Sequence, residues 1–374
     1  MGFSGAFDTQ AWARMPFHFW TVTFFVLGTV VGSFLNVCIH RVPLGQSIVS
    51  PPSHCPHCQY SIPWFLNLPL ATWLYLQGKC ANCRAPIAIR YFLVELLTGV
   101  LFLGCWLRFG HESAAVAAIM CVVVAGLVVA TFIDLEHYII PDGLNYGGMV
   151  AGVLAAFFVP RLFGETNLAR SFQQSLLGLG VGAGIIYTVL RLGKLAFGQE
   201  KIALEPGTRI IFGDTGLILP DREIPYEEVF YRESDTIVVA ADRAELFDRG
   251  FCGPVTIRLS PNRLRIDDEE FDPEQVPWLE VSAAQLSLPR EAMGLGDVKF
   301  MAAIGAFLGW PGVVFSLLAS SCIGSVFGVI LLARQRQGRS STVVPYGPYI
   351  AAAALLWIFE SPAITRFAHA WMGW

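Results

Sequence analysis

The sequence predicts an α-helical polytopic membrane protein of about eight transmembrane helices, with a cysteine-bearing cytoplasmic loop and a small, mostly-β cytoplasmic insert. Three observations predict it. The 374 residues are 54% hydrophobic and only 14% charged, where a soluble domain carries about 25% charge. Several apolar stretches reach the roughly 17–25 residues that cross a bilayer. Charge is also segregated: 19 of the 29 acidic and 10 of the 25 basic residues fall between Glu200 and Arg290, a quarter of the chain.

The apolar segments lie near 17–39, 91–109, 114–133, 144–163, 173–192, 298–310, 312–333 and 345–360. Residues 1–40 hold the N-terminal segment and the first helix. No basic cluster precedes Phe17 and no small-residue cleavage site follows Ile39, so the first run is expected to be retained rather than removed as a signal peptide. Gly178, Gly180, Gly182 and Gly184 are expected to let helices approach closely. Arg41, Lys79, Arg84 and Arg90 follow the first segment, Arg191 and Lys194 the fifth, and Arg334, Arg336 and Arg339 the seventh. By the positive-inside rule these connections face the cytoplasm and both termini lie outside.

Residues 41–90 form the first cytoplasmic loop, 91–195 carry helices two to five, 196–290 the acidic insert, and 291–374 helices six to eight. Within the insert, TRIIFGDTGLILP and DTIVVAAD are rich in β-branched residues and bounded by turn formers. GPVTIRLSPNRLRI alternates apolar with polar and breaks at SPN, as a hairpin does. The acidic run DDEEFDPE reads as a solvated loop. The basic residues are scattered and the net charge is -4, which gives no footprint for nucleic acid.

Four of the nine cysteines occur in HCPHC and KCANC: Cys55, Cys58, Cys80 and Cys83. Two CxxC knuckles at this spacing suit a structural, four-thiolate zinc site. Two disulfides or four free thiols are the alternatives, and a reducing cytoplasm disfavours the first. His54 and His57 could substitute as ligands. Cys38, Cys105, Cys121, Cys252 and Cys322 are read as packing residues.

Two carboxylates stand out. Asp134, in FIDLEHYIIPDGL, ends the third apolar segment, and Asp297, in GLGDVKFMAAIGAFLG, begins the sixth. The third segment runs inward and the sixth outward, so both acids come to the cytoplasmic boundary. An intramembrane acid is costly and points to function. A carboxylate pair there can share a proton and activate water. Pairing with a base, or lining an ion path, stays open on spacing alone. Asp142 competes with Asp134 but reads as an acid at the start of the fourth helix. Glu136 and His137 could tune the site, and Lys299 could pair with an acid or snorkel to the interface.

With these residues in view, the chain resembles the bacterial type IV prepilin leader peptidase/N-methyltransferases, which are GxGD-type aspartic peptidases. The ordered motifs are GSFLNVCIHRVP (32–43), the double CxxC, RYFLVELLTG (90–99), FIDLEHYIIPDGL (132–144), GLGDVKFMAAIGAFLG (294–309) and VPYGPYIA (344–351). The resemblance implies a multi-pass enzyme of the bacterial inner membrane. It would cut the basic leader of prepilins or pseudopilins at the cytoplasmic face, after a glycine, and then methylate the new N-terminal residue with S-adenosylmethionine. Asp134 and Asp297 would be catalytic, and the cysteines would bind Zn2+.

His40 and Phe92 stand where the family commonly has Tyr and Pro, and the 196–290 insert departs from its compact pattern. That insert is expected to gate substrates, regulate the pair or dock pilus or type II secretion assembly proteins. The sequence holds no soluble-type fingerprint for the methyl donor. A peptidase that does not methylate and a non-catalytic assembly scaffold are the alternative readings.

Overall fold

The computed structural model describes residues 16–230, 235–246, 249–276, 278–289, 294–334 and 345–372. They form two units: Met1–Tyr187 with Leu295–Trp374, and Thr188–Gly294.

The first unit is helical: α1 (Phe17–Arg41), α2 (Ile89–Phe109), α3 (Ala114–His137), α4 (Asp142–Phe158), α5 (Leu168–Phe197, which runs on into the second unit), α6 (Leu295–Arg334) and α7 (Gly347–Met372). All these helices except α4 are long and apolar enough to cross a bilayer. The multi-pass membrane expectation therefore holds, but the count differs from the eight separate segments read in the sequence. The sixth and seventh segments form one element, α6, broken at Gly309, where φ is 70° and ψ 176°. Pro311 follows and cannot supply the helical N–H. At 17 residues α4 falls at the short end of spanning length. The last helix continues to Met372, past the expected end at 360.

Buried small residues set the helix packing. A Cβ on Gly28 would lie 2.8 Å from Gly99 Cα, and one on Gly32 would lie 2.7 Å from Glu95 Cα. The GxxxG spacing of α1 thus lets its backbone meet that of α2. Gly178 and Gly182 do the same for α5 against Gly305 and Met301 of α6, whereas Gly180 and Gly184 face open space. The hydroxyls of Thr21 and Thr23 donate to carbonyls one turn back, which removes the cost of a hydroxyl in an apolar helix. Ser113 caps α3 by accepting from Val116 N–H. This helix is the most enclosed, with 61% of its apolar window buried.

The second unit contains one antiparallel eight-stranded sheet, in the order β3-β2-β1-β8-β4-β5-β6-β7. Its strands are β1 (Gln199–Phe212), β2 (Gly216–Ile218), β3 (Glu223–Pro225), β4 (Ile237–Leu246), β5 (Gly250–Ser260), β6 (Arg263–Ile266), β7 (Glu269–Phe271) and β8 (Leu279–Pro289). Pro261 and Asn262 form the two-residue turn between β5 and β6, where Ser260 pairs with Arg263. Alternating residues such as Ile237, Val239 and Ala241 enter a core that includes Ile257, Leu264 and Val281. The acidic run is not simply a loop: Glu269–Phe271 is the short edge strand β7. Its preceding Asp267 sits in the turn and accepts Thr256 N–H through Oδ1. Both edge strands are three residues long and carry charge, a form that resists edge-to-edge pairing.

Candidate active site

Asp134 occupies the last turn of α3, directly after the buried Ile133. Tyr138 ends the helix in a left-handed conformation at φ 56°, and its N–H bonds the Asp134 carbonyl. The chain turns there through Ile139, Ile140 and Pro141 into α4. The Asp134 side chain is 5% exposed. Its Oδ2 accepts the N–H of Gly347, the first residue of α7, at 2.9 Å. A Cβ at position 347 would meet that oxygen at 2.7 Å and Ile140 Cδ1 at 3.1 Å. Only glycine leaves room for this carboxylate. Tyr346 fixes the approach to α7, since its hydroxyl lies 2.8 Å from Ser320 Oγ and 3.2 Å from Ser321 Oγ on α6.

Asp297 lies in the first turn of α6 and is 9% exposed. Gly296 packs in ordinary contact on Ile140, 3.5 Å from its Cβ when a Cβ is placed on the glycine. Asn145 of α4, wholly buried, reaches both segments: Nδ2 donates to Gly296 O at 3.4 Å and to Ile140 O at 3.5 Å. Its Oδ1 has no hydrogen-bond partner among the described residues. Ile140 is therefore the shared wall. One side of it meets the Gly347 backbone that holds Asp134, and the other meets the glycine preceding Asp297. Two helix ends 163 residues apart, each carrying a buried aspartate, are thus linked through Ile140 and Asn145.

The other acids are engaged elsewhere. Glu136 pairs with Arg90 at the start of α2. Asp142, largely exposed, pairs with Lys299 Nζ at 2.6 Å, and that ammonium lies 5.1 Å from the Tyr146 ring centroid. This ion pair ties the start of α4 to the start of α6, beside the Asn145 link. His137 is exposed. Ile140, Asn145 and Gly347 were not singled out in the sequence. Their partners lie across the fold, 151 residues away for Asn145 and Gly296 and 213 for Asp134 and Gly347.

The four cysteines converge. The Sγ atoms of Cys55, Cys58, Cys80 and Cys83 all lie within 4.8 Å of one another. Two of the separations are 3.8 Å (Cys55–Cys83) and 4.0 Å (Cys58–Cys80). A tetrahedron of sulfurs each about 2.3 Å from a metal has edges of about 3.8 Å, so the set fits a four-coordinate ion.

The two knuckles repeat one backbone pattern. Cys55 N–H donates to Tyr60 O and Gln59 N–H to Cys55 O, while Cys80 N–H donates to Ala85 O and Arg84 N–H to Cys80 O. Gln59 and Arg84 take the left-handed turn position, at φ 56° and 61°. The Tyr60 amide, directed at Cys58, pulls that thiol down to about 6, and the amides of Cys83 and Asn82 lower Cys80. Amides aimed at sulfur favour the thiolate a metal needs. His54 instead places Nδ1 3.1 Å from the Pro52 carbonyl, and neither histidine joins the sulfur cluster. Cys105 and Cys121 are buried and Cys322 is exposed, while the Cys252 side chain lies outside the described residues.

Comparison with known proteins gives a consistent set of matches. Residues 26–109 match the profile of the bacterial peptidase A24 N-terminal domain, and residues 121–209 and 278–329 that of the type IV leader peptidase family. The two profiles together cover more than half of the chain. The chain is 42% identical over 215 residues to a prepilin leader peptidase/N-methyltransferase of Myxococcus xanthus, covering 57% of this chain and 61% of that protein. Proteins of the same name from Stutzerimonas stutzeri and Pseudomonas aeruginosa are 27% and 28% identical, over 89% and 91% of this chain and 89% and 90% of theirs. No solved structure matches.

Proposed function

The chain belongs to the type IV leader peptidase family, and on that premise we propose that it is a membrane aspartic endopeptidase with Asp134 and Asp297 as its catalytic pair. It cleaves the leader peptide of type IV prepilins or pseudopilins and then N-methylates the new terminus, the second activity in its relatives' name. The observation that supports the reading is that Ile140 packs against both Gly347, whose N–H holds the buried Asp134, and Gly296, which precedes the buried Asp297.

Close carboxylates do not both ionise readily, so one proton is held between them. The ionised member takes a proton from water, which attacks the scissile carbonyl carbon. The protonated member donates to the carbonyl oxygen. Collapse of the tetrahedral intermediate sends a proton to the leaving amine and restores the pair. Gly347 N–H engages one lone pair of Asp134 Oδ2 and fixes its angle, leaving the rest of the carboxylate for this exchange. Asn145 and the Asp142–Lys299 pair hold the α6 start against α4, which keeps Asp297 in register.

The loops rich in Lys and Arg support an orientation with this end of the bundle in the cytoplasm and the chain in the bacterial inner membrane. α4 and the two arms of α6 bring the reading to eight crossings. The sulfur tetrahedron supports structural Zn2+, since the protein fills all four positions.

S-adenosylmethionine supplies the methyl group. A cavity of about 600 Å³ lined by Phe163, Trp310 and Trp357 lies beside the Gly309 break within α6. Along the helix that is about 18 Å from Asp297, so the cavity does not fit a donor acting on the freshly cut terminus. The insert, most of which the family profile passes over, is where a pilus or secretion assembly protein would dock.

The test is incubation of the purified protein with a prepilin and methyl-labelled S-adenosylmethionine. Asp134→Asn and Asp297→Asn should each reduce cleavage to background, and Asp214→Asn in the insert should retain it. Wild-type cleavage by either of the first two variants rejects the pair.

A further inference from the structure

The stretch SIPWFLNLPLATWLYLQ, Ser61 to Gln77, has no charged residue, and the chemistry above makes no use of it. It lies between the two knuckles, inside a loop that carries basic and polar residues on either side. Pro63 and Pro69 interrupt it, and it folds as a 3-10 turn (Trp64–Leu66) and a five-residue helix (Ala71–Tyr75). It is too short and irregular to span a bilayer. Yet Leu68, Leu74 and Tyr75 are 52%, 58% and 82% exposed.

Two contacts set the depth of this stretch. Leu70 N–H donates to Glu95 Oε2 at 2.8 Å, and the Trp73 ring lies 5.1 Å from that of Phe92. Phe92 and Glu95 belong to α2, whose 21 residues rise about 32 Å, little more than the roughly 30 Å of hydrocarbon they cross. The first residue of α2 therefore lies at the boundary, and Phe92 and Glu95 lie about 5 and 9 Å along the helix from it. At that depth an irregular backbone needs its polar groups satisfied by protein, as Glu95 does for Leu70. Ile89 and Leu93 of α2 expose 60% and 47% of their surface in the same zone, so the apolar surface of the stretch continues the lipid-facing surface of a spanning helix. Trp73 and Tyr75 are residue types favoured at the headgroup level.

We propose that Ser61–Gln77 is an interfacial wedge whose Leu68, Leu74 and Tyr75 side chains insert among phospholipid chains at the membrane boundary. The wedge is fastened to the metal site: Gly78 N–H donates to Trp73 O at 2.9 Å, and Gly78 stands two residues before Cys80. The knuckles thereby staple the loop to the bilayer surface. The inference rests on α2 crossing the membrane and not on the peptidase chemistry.

The test places the photo-crosslinker p-benzoylphenylalanine at Leu68, Leu74, Leu93 or Gln59 of the full chain. Each variant is reconstituted in phosphatidylethanolamine–phosphatidylglycerol vesicles, irradiated and examined by mass spectrometry. Metal content verifies the fold of each variant, and Tyr75 replaces any position that fails this check. Phospholipid adducts at 68 and 74, matching those at 93 and absent at 59 on the first knuckle, are the expected result. Adducts at 93 without any at 68 or 74 overturn the wedge alone, whereas none at 93 overturns it together with the span of α2. Replacement of lipid by peptide adducts at 68 and 74 on adding a prepilin overturns it in favour of a substrate surface. Prepilin cleavage by the same preparations is read separately.

Discussion

Gly347 illustrates how tightly one atom can be specified. A methyl group added there would press on Asp134 Oδ2 and Ile140 Cδ1 together, and both neighbours are buried. Gly347→Ala should therefore displace the carboxylate while leaving the helices in place. A misplacement of about 1 Å costs on the order of 100-fold in rate, so kcat for prepilin cleavage should fall that far with little change in thermal unfolding. Asn145→Ala should act similarly from the other side of Ile140, by freeing Gly296 and with it Asp297. Asn145→Asp would place an anion beside two carbonyl oxygens and should cost more; cleavage rates at saturating prepilin separate the two.

The aspartates themselves were legible because a charge in an apolar run is chemically anomalous. Asn145 and Gly347 were not, because an Asn near a helix start and a Gly beside Pro look ordinary until residues far away in the chain are brought against them.

Among the elements, the metal loop and α6 respond to different insults. The double knuckle could be read from cysteine spacing, whereas the left-handed positions at Gln59 and Arg84 could not, since neither is a residue type that advertises such a turn. Removing metal with a strong chelator should leave four converging thiols without their centre and open 41–90 to protease. The helical signal in circular dichroism should persist, because the helices hold one another independently of the loop. Cleavage sites within 41–90, mapped before and after chelation, check this.

In α6 the break at Gly309 falls where the sequence separates its sixth segment, ending at 310, from its seventh, beginning at 312, since Pro311 cannot continue a helix. Gly309→Ala forces an L side chain into φ 70° and brings its Cβ to 3.2 Å from Phe163 Cε1. Such strain costs about 1–3 kcal/mol and should lower the unfolding temperature. Folded protein should still cut prepilin, since Asp297 lies three turns away.

For the molecule as a whole, the division into a helical unit and a sheet unit has a practical consequence. Gln199 and Pro289 are register partners in the first and last strands of the sheet, so the chain enters and leaves the insert at neighbouring points. A unit inserted this way can be excised with little loop-closure penalty. Replacing 200–289 by a short Gly-Ser linker should preserve metal content and most prepilin cleavage in vesicles, while loss of cleavage would make the insert part of the catalytic machinery. The charge segregation and β-branched runs made the insert visible from sequence. The strand order was not, because β1 pairs with β8 across the whole insert and no local pattern encodes so distant a partner.

The central claim, that α3 and α6 bring two carboxylates to one point, can be tested without activity. Asp134→Cys and Asp297→Cys, combined in the full chain in membranes, are treated with the shortest bis-thiosulfonate crosslinker, and the peptides are identified by mass spectrometry. The account predicts a bridged peptide pair joining α3 to α6. Both cysteines modified singly and never bridged would contradict it.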